Sequence, residues 1–376
     1  MTTFETLYPG TTYLLEPSYH ATGYRVPMGT LGGTTSIQTA NQLKEVNNLL
    51  NQGMKVTEVS VINPEVFEMI PKENFKEINR VNKLVGAEST LHLPTLDPAG
   101  FTQEGWSEEN QRQVQQQFEN WVQKGHDINP DGNMPVTIHA SVIPGSETMP
   151  AIKELLTEEE KKAGVKEIYS KMVAVDQESG RFIPLEREKK YYPGSEGEIR
   201  TPEQELKLAN ESYWDQQLAQ LVFYKERADE LASKSYAEIH NADPDYFTEE
   251  QKVAAQKVSN SMAYLKNASM SLNSLYNHAY KFSDEKTREL LRKAAEDYSK
   301  SIDRYRNEPG NPNALSKALQ SLIENMQIIT DSHIAERGIW GKENVGPWKI
   351  PEKYKPVEVF AKEKTSETLS NVALKA

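Results

Sequence analysis

Between residues 24 and 141 the chain repeats one local pattern three times, a short β-branched run followed by an amphipathic stretch, and ends on a fourth apolar run. Strands read at 24–30, at 56–62 (VTEVSVI), at 89–95 (STLHLPT) and at 134–141 (MPVTIHAS). The segments between them carry apolar residues at helical spacing. Thr34, Thr35 or Ser36 can cap a helix running through Leu50 to Gly53. A second follows Phe67, Ile70, Phe75, Ile78, Val81, Leu84 and Val85 to Gly86, and a third carries Val114, Phe118, Trp121 and Val122 to Gly125. Strands joined through helices demand right-handed crossovers and parallel pairing, so this part folds as an α/β layer or barrel.

The pattern then stops. Residues 151–200 read as a charged helix opened by the Thr157–Glu160 capping box, followed by a β-hairpin turning at Glu178-Ser179-Gly180. From 201 to 334 come four long stripes at 3–4 residue spacing, led by Trp214, Val258, Leu291 and Leu315, which is the pattern of a packed helical bundle. Residues 335–376 form a Gly-, Pro- and Trp-containing loop and one more amphipathic helix. Residues 1–23, rich in Thr, Pro and Tyr, read as an arm, and 24–150 as the first half of a β/α barrel into which the bundle is inserted. No strand resembling the first four follows residue 190. A (β/α)8 barrel needs eight, so the second half is expected on a missing C-terminal part or on a protein partner.

Composition narrows the chemistry. The absence of cysteine removes disulfides, thiolate metal sites and thiol nucleophiles. A formal charge of −12 weighs against nucleic acid as a partner. No basic-then-apolar leader and no apolar run of membrane-spanning length is present, so no membrane association and a cytoplasmic location are expected. Walker, Rossmann and nucleophile-elbow patterns are absent. Asp127–Asn133 has the start of a calcium loop, but Ile138 stands where the bidentate Glu belongs, so it reads as a turn.

Two of the seven histidines, His92 and His139, fall near the C-terminal ends of parallel strands, where the active sites of β/α barrels assemble. A lone strand histidine is ordinarily a core residue satisfied by backbone partners. Two at matching positions point to a shared site able to bind zinc or manganese or to move protons. Asp97 and Glu147, on the loops that follow, are the weaker candidates for further ligands. His126, His240, His278 and His333 read as surface or packing residues on helices.

STLHLPT and VTIHASVIPGSE together resemble the xylose-isomerase-like TIM-barrel superfamily, which holds sugar isomerases and epimerases and the family 2 apurinic-site endonucleases. His92 and Pro94 match the family's H-A-P-Y motif. His139 matches the start of H-P-G-S, with Pro144-Gly145-Ser146 displaced. Thr95 stands where an aromatic is usual, the first strand lacks the early histidine, and Glu343-Asn344 is the available counterpart of the later E-N motif. The resemblance implies a divalent-metal-dependent protein of sugar isomerase/epimerase type, with a sugar or sugar phosphate as substrate. In the endonuclease branch both histidines ligate metal, which gives His92 and His139 that role, whereas in the isomerase branch the corresponding positions more often contact substrate. The alternative within the resemblance is an endonuclease-like metal phosphodiesterase, and the rival reading from another class is a non-catalytic barrel scaffold whose bundle binds a protein partner.

Overall fold

The computed structural model describes residues 30–375, apart from residues 131–133, 140–142, 144, 192, 195–196, 308–309, 337–345 and 347. The chain divides into two compact units, one of residues 1–143 with 361–376, the other of residues 144–360.

The first unit is built on a four-stranded parallel sheet: β1 (Gly32–Thr34), β2 (Val56–Ser60), β3 (Glu88–His92) and, after the two-residue strands β4 (Phe101–Thr102) and β5 (Gly105–Trp106), β6 (Val136–Thr137). The sheet order is β1-β2-β3-β6, so each strand lies beside its predecessor in the parallel series. The connecting helices are α1 (Gln42–Asn51), α2 (Pro64–Glu68), α3 (Lys72–Val85) and α4 (Glu108–Gly125). Strand periodicity sends Val59 and Leu91 to one face of the sheet. There they pack with Val46 of α1, Phe67 of α2, Phe75 and Ile78 of α3, and Phe118 and Trp121 of α4. The same face carries a buried polar cluster. Thr57 and Ser89 share a hydroxyl hydrogen bond of 2.7 Å, and the Asn82 amide donates to Ser89 at 2.7 Å. All four helices therefore bury their apolar stripes against one face of the sheet.

Several details differ from the sequence reading. The expected strand at 24–30 lies almost wholly outside the described residues, and β1 falls just after it, at Gly32–Thr34. Helix α1 starts later than Thr34–Ser36 suggested, with the Asn41 side chain accepting from the Lys44 amide. The single helix expected from Phe67 to Val85 is two. Pro71, at the N-cap of α3, has an extended backbone (ψ 140°) and breaks the run despite its continuous periodicity. The fourth strand is only two residues long, leaving His139 just beyond it. The parallel sheet holds four strands, and no closed barrel is present among the described residues.

The second unit opens with β7 (Glu147–Pro150), the short helix α5 (Glu158–Ala163) with its capping box, and the hairpin β8 (Glu167–Asp176) and β9 (Phe182–Glu186). Strand β8 also pairs antiparallel with β7 and with β12 (Tyr354–Pro356), a strand with no signal in the sequence reading. The strands β10 (Glu188–Lys190) and β11 (Glu198–Arg200) pair separately. Between them and β12 run the four long helices α6 (Pro202–Ile239), α7 (Glu249–Phe282), α8 (Glu285–Asn307) and α9 (Pro312–Glu336). Both α6 and α7 begin in complete capping boxes, at Thr201 and Thr248. Trp214, Leu221, Leu265, Leu272, Leu291, Leu319 and Met326 form the bundle core, with the Trp214 indole donating to Thr330 at 2.8 Å. Helix α10 (Val357–Lys375) ends the described chain. Its part from Ala361 belongs to the first unit, where Gln111 of α4 donates to the carbonyl of Lys364 and to Thr368. Among the described residues no helix is long and apolar enough to cross a membrane.

Candidate functional site

The face of the parallel sheet opposite the helices is set by parity. If Thr57, Val59, Ser89 and Leu91 face the helices, then Glu58, Thr90 and His92 face the other way. Glu58 lies opposite Thr90 in the register and Ser60 opposite His92, so Glu58 is diagonal to His92. His92 in turn lies opposite Thr137, and His139 is two residues further on, at matching parity. Polar side chains from two neighbouring parallel strands and from the residue just beyond a third thus converge at the C-terminal edge of the sheet.

Their geometry is tight. The His92 Nδ1 lies 2.7 Å from Glu58 Oε1 and its Nε2 lies 3.0 Å from His139 Nε2, with ring centroids 4.9 Å apart and tilted by 35°. A carboxylate oxygen accepts, so Nδ1–H of His92 donates to Glu58 and, in the neutral ring, Nε2 carries the lone pair. With that tautomer, His139 donates through its own Nε2–H. The Glu58 and His92 side chains keep 28% and 20% of their surface, and His139 is exposed, so the group is open to solvent and to a ligand.

Of the sequence candidates, the structure joins His92 and His139. Asp97 instead ties its own loop, its Oδ1 accepting from the Ala99 amide at 2.8 Å and its carbonyl from Gly100 at 3.0 Å. This is the local turn bonding that aspartates commonly supply. Glu147 begins β7 in the second unit, where it is exposed. Glu343-Asn344 lies outside the described residues. Glu58 was missed, although one signal was available: it is the only charged residue in the otherwise apolar or hydroxylated run VTEVSVI.

The fit to a divalent cation can be tested on these distances. Two imidazole nitrogens that share a tetrahedral zinc at about 2.0–2.1 Å lie roughly 3.3 Å apart, close to the 3.0 Å observed between the Nε2 atoms. The carboxylate on the far nitrogen of His92 is the partner that metal-bound histidines usually have. Among the described residues, however, no group of three or more His, Asp or Glu side chains converges as a metal would require. What the structure shows is a pair of imidazole nitrogens at a separation two ligands of one cation would have, with no third side-chain ligand beside them among the described residues.

The second unit contains another carboxylate–imidazole pair with the opposite surroundings. His278 of α7 is almost fully buried, and its Nδ1 lies 2.8 Å from Glu178 in the β8–β9 turn. Among the described residues its Nε2 is buried without a hydrogen-bond partner, and the imidazole ring packs against the rings of Tyr213 and Phe282. Burial holds the His278 pKa below its ordinary value, against the opposing pull of Glu178. The Lys353 ammonium sits 3.9 Å from the centre of the Tyr213 ring and within 4 Å of Asp176 and Glu178. Burial depresses the Lys353 pKa, but Asp176, Tyr213, Tyr354 and Glu178 outweigh it and hold the group above its usual range. This cluster ties the hairpin to the bundle. His333 makes a similar tie, 2.6 Å from Glu211.

Comparison of the chain with protein-family models, with curated proteins and with solved structures yields no match, so the functional reading rests on the geometry above.

Proposed function

We propose that the first unit is half of a β/α barrel, of sugar isomerase/epimerase type, whose His92 and His139 hold a divalent cation, zinc or manganese, at the strand ends. The observation that carries this reading is the Glu58–His92–His139 chain, 2.7 and 3.0 Å long, on the sheet face that the helices leave uncovered. A doubly wound sheet has helices on both faces, whereas a barrel has them on the outer face only. The one-sided coverage and the sequential strand order support the barrel type. The outer strands β1 and β6 each have one neighbour among the described residues, and further strands would add there.

In this reading Glu58 fixes the ring of His92 and keeps its Nε2 lone pair directed at His139. His139 is exposed just past β6, and the Nε2 atoms of the two rings are the groups that would hold a cation. A bound cation would supply polarisation of a substrate oxygen such as that of a hydroxyketone. The Glu58 carboxylate, on the far nitrogen of His92, would balance the added positive charge.

The test is calorimetric titration of the chain with Zn2+ and Mn2+. We expect one site, with a rise in thermal stability that is absent from a His92→Ala/His139→Ala double variant. No heat and no stability shift with either metal overturns the proposal.

A further inference from the structure

We propose that the helical bundle of the second unit carries a binding groove for a free amphipathic anion, an alkyl carboxylate of medium chain length. The groove lies where α7, α8 and α9 fail to close on one another, and it encloses about 490 Å3. Ligand pockets commonly measure about 300–1,000 Å3, so this groove is of a size to take a medium-length alkyl chain.

The lining is apolar below and cationic at the rim. Met262 of α7, Ile302 of α8 and Leu315 of α9 form the floor. Leu315 belongs to the bundle core, and Met262, Ile302, Tyr298 and Tyr305 pack against that core while only partly buried. These are core-type side chains left with one face open, a place where added apolar surface gains about 25 cal/mol per Å2 removed from water. Met262 adds adaptability, since a thioether side chain reshapes at low cost.

Specificity comes from the polar groups on the walls. Lys266 and Arg306 both line the groove. Arg306 pairs with Asp303 at 2.8 Å, and Lys266 forms no ion pair among the described residues. Two cationic heads against one carboxylate leave a net positive rim on a chain of net charge −12, so the site is set against its surroundings in sign. The hydroxyls of Tyr298 and Tyr305 and the Ser269 side chain add donors. The contrast with the groove between α6 and α9 sharpens the assignment. That one is lined by Asp215, Glu226 and Asp331 with an apolar floor and would repel the same ligand.

The experiment is calorimetric titration of the full chain with dodecanoate, kept below its micelle concentration, with dodecyltrimethylammonium as the charge-reversed control. We expect saturable 1:1 binding of dodecanoate. It should be weakened at least tenfold by the exposed, folding-neutral change Lys266→Glu, and abolished by Ile302→Trp, which fills the groove. Circular dichroism establishes that each variant keeps its helix content; if Ile302→Trp loses it, Met262→Trp takes its place. Absence of saturable binding up to 1 mM, equal binding of the cationic control, or dodecanoate binding unchanged in folded Lys266→Glu overturns the proposal. So does binding seen only with anionic phospholipid vesicles, which would make the surface a membrane contact instead.

Discussion

The two units use the same pair of side chains for different ends. In each, a carboxylate accepts from the Nδ1–H of a histidine, Glu58 from His92 and Glu178 from His278. At the sheet edge the far nitrogen of His92 meets a second, exposed imidazole. In the bundle unit the far nitrogen of His278 is buried, and the imidazole packs against two aromatic rings. The pair therefore does not define a site. What the second ring nitrogen faces does, and that depends on whether the surrounding elements leave a surface open. Among the described residues the helices pack on one face of the sheet and leave Glu58, His92 and His139 partly or fully accessible on the other, while the packed helices close around His278.

The largest expected effect tests the structural side of this contrast. Arg187 has 1% of its side-chain surface exposed; it clamps Glu160 through two bonds of 2.9 and 2.7 Å and donates to the carbonyls of Leu155 and Tyr169. The same clamp holds the Glu160 carboxyl below its usual pKa. Arg187→Ala removes a buried partner and should destabilise the second unit by about 3 kcal/mol, read as a lower urea midpoint for the helical signal. Metal titration of the first unit should be unaffected. A urea midpoint unchanged in this variant would show that the Arg187–Glu160 clamp carries little of the unit's stability.

A smaller effect is expected at the other pair. Glu58→Gln keeps the shape but replaces the carboxylate behind His92, and should weaken Zn2+ binding by about tenfold, at the low end of what such partners contribute. Because the pair is partly exposed, the variant should leave the unfolding midpoint nearly unchanged. Unaltered affinity would reduce Glu58 to a bystander.

The smallest effect is a pH slope. The folded-state pKa of His278 lies below the unfolded value of about 6.5, because of burial. The unfolded chain then takes up the proton first as pH falls. The stability carried by neutral His278 is full above about pH 6.5 and is lost as pH drops through the folded pKa. Urea midpoints measured between pH 7.5 and 5 should decline, and less steeply in His278→Leu. Equal slopes would show that His278 does not contribute to the decline.

Much of this was legible in the chain. The alternation of strand and helix from VTEVSVI to VTIHAS announced a parallel sheet, and the strand-end positions of His92 and His139 announced their meeting. What escaped depended on register. Glu58 could be placed on a strand, but only the Ser60–His92 pairing says that it reaches diagonally to a neighbouring imidazole. His278 and Glu178 are 100 residues apart, and no local pattern links a bundle helix to a hairpin turn. β12 has three residues and is held by partners distant in sequence, the edge of β8 and the Asn210 side chain. Asp97 misled for the opposite reason. Its chemistry suits a metal, but its own backbone, two residues away, is the nearer partner.

The hydroxyl–hydroxyl–amide cluster of Thr57, Ser89 and Asn82 has a further consequence, for folding fidelity. A slip of β3 by one residue would turn Ser89 and Leu91 outward and bring His92 in among Phe118 and Trp121. It would also strand the Asn82 amide against apolar neighbours, an error costing about 1–3 kcal/mol in unpaired polar groups alone. An all-hydrocarbon interface would tolerate that mistake more easily. The cluster works as a key that accepts one alignment of the strands, and that alignment is the one in which the two histidines can meet.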